Sequence, residues 1–468
     1  MKSLLSKTSY VAGLMIVLLL LSAPLLFSTG TQETTKESPT LYWFTSVQGG
    51  REPAENVLFE AEVERLTGIK VKLVKIVSGE DYRTKLAAML ATGEPLDLVY
   101  VGDSLFETLW DQQLFEPLTD LIEASPVLSD PTVIPQSEWD RIRRDNGEIY
   151  GIFNKFEQGT MPTARGDWME TLGFGEPQDL DEYYDLLKAF KTQDPDGNGK
   201  DDTYGMAIGY TTYDATGIFG AYGLMRGFVK DSSGNLMAPW ATKEAIPVYE
   251  WFRKLYSEGI LEPNFITNKS SNFRDLFMTD KAGMTLYWAA WVGLFNQQVK
   301  AKNPDSPFKA RGLTPPKGPG GRLLRAGGDG LMCVPKYSEN RELAFKVMEF
   351  WHTYEGNVLS TLGILGHDYT MDGGKYVLTE TGQAHAMDHG APQPKSLKWK
   401  NPLGSLEGFD EAAAIVREYA LPQMPTPHDK VWETIVRSEA AKIVLGDITP
   451  EQGIKNMQDR LKEEGVYK

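Results

Sequence analysis

Ile69-Lys70-Val71-Lys72-Leu73-Val74-Lys75-Ile76, followed by Leu96-Asp97-Leu98-Val99-Tyr100-Val101, decides the fold class of this chain. The first run alternates apolar and basic residues and reads as a half-buried strand; the second is a short apolar run and reads as a buried one. Between them Asp81 can cap a helix whose inner face carries Leu86, Met89 and Leu90 and which stops at Gly93. Upstream, Leu41–Ser46 reads as another strand, and Pro53 suits the first turn of a helix ending at Thr67 before Gly68. Strands alternating with helices predict an α/β fold with a parallel sheet and right-handed crossovers. Ligands of such sheets sit beyond the carboxyl ends of the strands, which points to Thr45, Ser46 and Gln48 after the first strand and to Gly102, Asp103 and Ser104 after the third.

The N-terminus reads as an export signal over residues 1–30: basic Lys2 and Lys7, an apolar run from Val11 to Leu21, then Ser28 and Gly30 at a cleavage point. The run is broken by Ser22 and Pro24, too soon for a comfortable membrane span. Thr31 stands where a lipoprotein needs cysteine. Residues 31–38 read as a linker. Lys2 and Lys7 leave with the first 30 residues and no acid does, so 48 basic residues become 46 against 64 acidic ones, a net charge of −18. That balance opposes nucleic acid and anionic membranes as partners. The single cysteine, Cys333, allows no intramolecular disulfide, so stability must come from large cores, with Cys333 itself a small buried apolar residue.

Asp194-Pro195-Asp196-Gly197-Asn198-Gly199-Lys200-Asp201-Asp202-Thr203 reads as a calcium loop. Oxygen side chains occupy positions one, three, five and nine (Asp194, Asp196, Asn198, Asp202). Lys200 offers its carbonyl at seven, and Gly199 turns the loop at six. Position twelve is Gly205 instead of a bidentate Glu, so a closing ligand must come from Asp201, Thr203 or elsewhere. A solvated Asp/Asn/Gly turn is the alternative. The Gly/Pro-rich stretch 315–321 marks a break in regular structure. No Gly-x-Ser-x-Gly elbow is present, and His385 and His389, spaced like zinc ligands, have Ala386 where a metalloprotease has its Glu. A plain surface segment is the simpler reading there.

With those pieces in order, the chain resembles the extracellular solute-binding proteins of family 1, the capture subunits of ATP-driven importers. Asp81–Asp97, Arg165–Gly173, Ala189-Phe190 leading into the calcium loop, Phe277–Met284 and Gly366-His367-Asp368-Tyr369-Thr370 carry the likeness, in an oligosaccharide-handling, alginate-binding-like subgroup. The resemblance implies a two-lobed periplasmic-binding-protein-like (type II) fold with discontinuous lobes. The first lobe would comprise 39–155 plus 310–355 and the second 156–309 plus 356–468, with hinge strands near 153–158 and 309–316. It implies structural Ca²⁺ on Asp194, Asp196, Asn198, Lys200 and Asp202, with Thr203 where the alginate-type proteins have an acid. It implies a monomer, exported to the periplasm or the outer membrane face, that delivers an oligosaccharide or related polyhydroxylated solute to ABC permease subunits and performs no catalysis. A secreted carbohydrate-active enzyme and a ligand-presenting module for a membrane sensor are the competing readings.

Sugar recognition needs flat apolar faces edged by polar groups, which Tyr and Trp supply. Tyr287-Trp288-Ala289-Ala290-Trp291 is the leading candidate, its tryptophans spaced to share a helical face. Trp43, Tyr210 and Trp399 are further aromatic candidates, and Ser46, Asp103 and Asp329 the polar ones from strand-end loops. Trp168 reads as packing.

Overall fold

The computed structural model describes residues 39–46, 53–76, 80–156, 159–209, 214–327, 329–385, 396–424 and 426–467. The run that decides the fold class forms parallel strands. β1 (Leu41–Thr45) lies beside β2 (Val71–Lys75), with Leu41 opposite Val71, and beside β3 (Leu98–Gly102), with Trp43 opposite Leu98. The helices between them, Pro53–Thr67 and Glu80–Thr92, bury Phe59 with Val63 and Leu86 with Leu90, pairs one turn apart on the inner face. Gly68 and Gly93, at φ 72° and 67°, end these helices in the left-handed region that glycine enters without a Cβ clash. β4 (Ile152–Phe156) is the far edge of this sheet.

A second sheet follows. β5 (Thr160–Arg165) runs antiparallel to β9 (Ala282–Trp288), Thr160 opposite Trp288, and β6 (Tyr204–Met206) lies parallel to β9 on its other side. A small hairpin, β7 (Val229–Lys230) with β8 (Leu236–Met237), intervenes in the chain. β10 (Ala310–Gly312) and β11 (Leu324–Arg325) both add to β5. The chain then returns to the first sheet as β12 (Asp329–Cys333), which slips between β3 and β4, antiparallel to both, giving the order β2-β1-β3-β12-β4. Cys333 is fully buried there, as an apolar residue would be. A hairpin, β13 (Tyr369–Asp372) with β14 (Lys375–Leu378), and helix Glu380–His385 follow, and β15 (Ala420–Leu421) closes the second sheet beside β11. The last two helices, Asp429–Leu445 and Pro450–Glu463, bury Trp432, Val436, Met457 and Leu461 in the second lobe's core.

Each sheet has its own core, so the architecture is α/β and two-lobed, with both lobes discontinuous in sequence. The lobe boundaries differ from the expectation. Residues 310–325 belong to the second sheet, Ala310 lying opposite Arg165, and the return to the first sheet falls between Arg325 and Asp329 instead of near 309–316. The Gly/Pro stretch is a surface excursion within the second lobe, tied down by Lys317 N donating to Gln178 O and Gly320 N to Ala221 O. Residues 356–385 remain with the first lobe: Leu359 is in its core and Ile364 packs against it. Leu397 N still donates to Val133 O in the first lobe, whereas Glu407 O accepts from Asn296 in the second. Among the described residues the chain thus passes between lobes three times, between Phe156 and Thr160, Arg325 and Asp329, and Trp399 and Glu407. The export-signal and linker readings, residues 1–38, lie outside the described residues, as do Tyr210 and His389. No helix among the described residues is long and apolar enough to cross a membrane.

Candidate functional site

Two of the three interlobe passages fix which ends of the sheets meet. Phe156 to Thr160 and Arg325 to Asp329 are four residue steps each, so each passage spans at most about 14 Å. On the first-sheet side Asp329 lies opposite Phe156 and Gly330 opposite Gly102, so the carboxyl end of β3, with Asp103 next in sequence, belongs to this rim. β1 runs parallel to β3, which brings half-buried Ser46 to the same rim. On the second-sheet side Thr160 lies opposite both Trp288 and Arg325. The topology therefore collects Ser46, Asp103, Asp329 and Trp288 at facing sheet ends.

Trp288 is the last residue of β9 and Trp291 lies in the first turn of helix Ala290–Lys302, so the two do not share one helical face as their spacing suggested. Both are half-buried, and both carry a cation over the ring: Arg325 at 5.2 Å from the Trp288 centroid and Arg274 at 3.9 Å from that of Trp291. Tyr287 packs edge-on against Trp291 at 5.3 Å and against Phe273 at 5.2 Å. Arg325 is ion-paired to buried Asp214, which also accepts from Thr160 Oγ1 (2.9 Å), Thr216 Oγ1 (2.7 Å) and Thr216 N (3.1 Å). Burial pushes the Asp214 carboxyl up, but the charges of Arg325 and Arg226, with the hydroxyl bonds, outweigh it and hold the group well below the usual carboxylate range. Arg274 has no carboxylate partner among the described residues, and its Nε donates to Ser270 O at 2.9 Å. Thr160, Asp214, Arg274 and Arg325 escaped the sequence reading because nothing local marks them; Asp214 and Arg325 are 111 positions apart.

Two of the expected aromatic residues belong elsewhere. Trp43 is fully buried in the first core, edge-on to Trp351 at 5.4 Å and 6.3 Å from Phe59. It sits mid-strand in a sheet covered on both faces, so it cannot meet a ligand. Trp399 covers a small satellite cluster with Val358, Leu362 and Tyr369 and packs against Tyr354 at 5.4 Å. Trp168 is core, edge-on to Phe190 at 5.7 Å, as expected.

The loop Asp194–Thr203 joins helix Leu180–Thr192 to β6. It lies at the opposite end of the second sheet from Trp288. Tyr204 pairs with Ala282, six residues back along β9, or about 20 Å at strand rise. Asp194 at φ 46°, Gly197 at 67° and Gly199 at 74° wrap it tightly. The Asn198 amide reaches Asp196 Oδ2 (2.6 Å) and Asp202 Oδ1 (3.2 Å), while Gly199 N donates to Asp194 Oδ2 (2.9 Å). Three carboxylates thus converge on the Asn198-Gly199 turn, Asp196 and Asp202 on the side-chain amide and Asp194 on the backbone N–H groups, a donor set that suits a hard cation. Burial and the neighbouring Asp194 and Asp202 push the Asp196 carboxyl up against its backbone bond from Asn198. Two features weaken the site. Lys281 Nζ already sits 2.7 Å from Asp202 Oδ2 and holds that carboxyl below its usual range. A Cβ at Gly205 would come 2.3 Å from Leu187 O, so no closing Glu fits at position twelve. Thr203 does not close the loop with its side chain either: its hydroxyl is buried and donates to Phe190 O at 2.8 Å.

Comparison with known proteins is consistent with this geometry. Residues 51–358 match the family model of bacterial extracellular solute-binding proteins. Lipoprotein LipO of Bacillus subtilis (strain 168) is 29% identical over 341 residues, 68% of this chain and 65% of its own length, so the match spans just under two thirds of that relative. The polygalacturonan/rhamnogalacturonan-binding protein YtcQ of the same organism is 28% identical over 379 residues, 76% of this chain and 73% of its own. Among solved structures, the alginate-binding protein AlgQ2 without calcium ion superposes with a TM-score of 0.65 at 21% identity, covering 92% of this chain and 96% of that one. An EF-hand mutant of the S. pneumoniae ABC-transporter substrate-binding protein FusA, in complex with fructo-nystose, superposes at 0.63 with 16% identity, covering 92% and 97%.

Proposed function

Because this chain belongs to the bacterial extracellular solute-binding proteins, we propose that it captures an oligosaccharide between its lobes and delivers it to the permease of an ABC importer. The carrying observation is the pair Trp288 and Trp291, half-open at the sheet end nearest the interlobe passages, each with a guanidinium over its ring. The rings offer apolar faces to the C–H side of pyranose rings, while Arg274 and the strand-end groups Ser46, Asp103 and Asp329 serve the polar edge. Asp214 with Thr160 and Thr216 positions Arg325 beside Trp288. Negatively charged saccharides head the order of test: Arg274 has no carboxylate partner among the described residues, and two similar proteins are named for alginate and polygalacturonan. Lobe closure about the three passages traps the ligand. The protein acts as an exported monomer, with residues 1–30 removed as its signal, and it leaves the sugar intact.

Calcium is assigned to the loop on Asp194, Asp196, Asn198, the Lys200 carbonyl and Asp202, bracing the second lobe far from the sugar. There the ion offsets the repulsion among the three carboxylates.

The test is a glycan panel, acidic and neutral, read by intrinsic tryptophan fluorescence with the purified mature protein. Saturable quenching or enhancement by an oligosaccharide, lost in Trp288→Ala, is the expected result. Shortened sugars appearing in the mixture would replace transport by catalysis.

A further inference from the structure

In the first lobe, four titratable side chains from three elements meet at one point. His367 and Asp368 lie in the turn before β13, His385 ends helix Glu380–His385, and Glu55 stands in the first turn of helix Pro53–Thr67. His385 is buried with a carboxylate against each ring nitrogen: Asp368 Oδ1 lies 2.8 Å from Nδ1 and Glu55 Oε1 lies 3.2 Å from Nε2. His367 Nδ1, a buried atom, points to within 3.2 Å of Asp368 Oδ2 yet makes no hydrogen bond. Asp368 is 1% exposed and is oriented by Ile364 N, which donates to Oδ2 at 2.8 Å. One ligand atom each from His367, Asp368 and His385 lie within 4.8 Å of one another.

A neutral imidazole has one N–H and one lone pair. Whichever ring nitrogen of a neutral His385 carries the hydrogen, the other turns its lone pair to a carboxylate oxygen, Asp368 Oδ1 at 2.8 Å or Glu55 Oε1 at 3.2 Å, a repulsion that a proton or a metal ion relieves; with the Nε2–H given to Glu55, the open lone pair is that of Nδ1, facing Asp368. His367 aims a further nitrogen at the same carboxylate. We propose that this cluster is a zinc-type transition-metal site: His367 Nδ1, His385 Nδ1 and an Asp368 oxygen are the ligands, and water takes the fourth position. Glu55 is the outer carboxylate that fixes the tautomer and tilt of His385. Tetrahedral zinc bonds of about 2.0–2.1 Å place ligand atoms about 3.3 Å apart, a spacing bracketed by those observed. Two imidazoles with one carboxylate select zinc or its transition-metal neighbours over calcium and magnesium.

The backbone holds the ligands ready. Thr379 N and Oγ1 bond Asp368 O (2.9 Å) and His367 O (2.7 Å), and a Cβ at Gly382 would come 1.7 Å from Asp368 O, so the helix bearing His385 sits hard against the turn bearing the other two. The metal ties residues 367–385 together and, through Glu55, to the first helix of the lobe.

The test uses tag-free, chelator-treated full-length mature protein, titrated with zinc chloride by calorimetry with calcium present throughout. About one zinc per chain is expected, with binding lost in His385→Gln and at least about 10-fold weaker in His367→Gln. Glu55→Gln should weaken it about 10–100-fold. His367 makes no side-chain hydrogen bond among the described residues, so His367→Gln should melt like the metal-free wild type, which separates loss of metal from loss of fold. Asp196→Ala with Asp202→Ala should keep the zinc. Zinc binding that disappears in that double variant, binding equal to wild type in both histidine variants, or no binding by the wild type at millimolar zinc would each overturn the proposal and leave His385 as an imidazolium between two carboxylates.

Discussion

Trp43 and Trp288 stand on strands that run toward the same interlobe rim, yet their surroundings are opposite. Trp43 is mid-strand in β1, shut in by Trp351 and Phe59. Trp288 is the last residue of β9: Leu286 and Met284, two and four positions back on the same face, are buried, and only the final ring opens outward beneath Arg325. The difference lies in distance from the strand end. An aromatic residue inside a sheet covered on both faces belongs to the core whatever its chemistry, and one at the carboxyl end is available for recognition.

The sharpest way to break this contrast is to truncate both rings. Trp43→Ala should lower unfolding free energy by about 3–5 kcal/mol, measured by denaturant unfolding, while the folded fraction keeps its ligand affinity. If instead affinity falls with stability unchanged, Trp43 is not the core residue described. Next in size is Asp214→Asn, which removes the carboxylate matched to Arg325 and Arg226 and should cost about 3 kcal/mol. Because the folded Asp214 carboxyl sits below its unfolded value, its stabilisation is present above the ordinary carboxylate range and lost as pH falls beneath it. The stability difference between wild type and Asp214→Asn should therefore shrink in acid. A constant gap from neutral pH into strong acid would show that the charge of Asp214 is not what matters. Trp288→Ala follows, with about 2 kcal/mol of binding lost and little change in melting.

The smallest effect concerns the calcium loop. Asp196 is held above its unfolded value by burial and by the neighbouring Asp194 and Asp202, so its ionisation as pH rises works against folding until a cation relieves it. Added calcium should raise Tm by a few degrees at pH 7 and by less near pH 4.5, and the Asp196→Ala, Asp202→Ala variant should show no calcium response. An unchanged wild-type curve, with elemental analysis finding no calcium, would reduce the loop to a turn.

The alternation of strand and helix over residues 41–101 was legible because period-2 and period-3.6 patterns are local, and so are the helix stops at Gly68 and Gly93. The tight turn at 194–203 was legible for the same reason: its carboxylates and glycines lie within ten residues. The lobe boundaries and the Arg325–Asp214–Thr160 arrangement were not, because they depend on which distant segments pair. Residues 310–325 carry nothing in their sequence to say that they add to β5. His385 was weighed against His389, its neighbour in sequence, while the fold sets it beside His367, Asp368 and Glu55.

The insertion of β12 between β3 and β4 has a consequence for the order of events during synthesis. Until residues 329–333 have left the ribosome, the first sheet is two separate pieces with β4 unpaired, and the second core still lacks Trp432, Val436, Met457 and Leu461. Neither lobe can be completed early, because the first waits for β12 and the segment that follows it and the second for the C-terminal helices, all contacts of long sequence separation. A member of an extracellular family gains from that delay: the nascent chain stays threadable until the machinery that carries it across the membrane has hold of it.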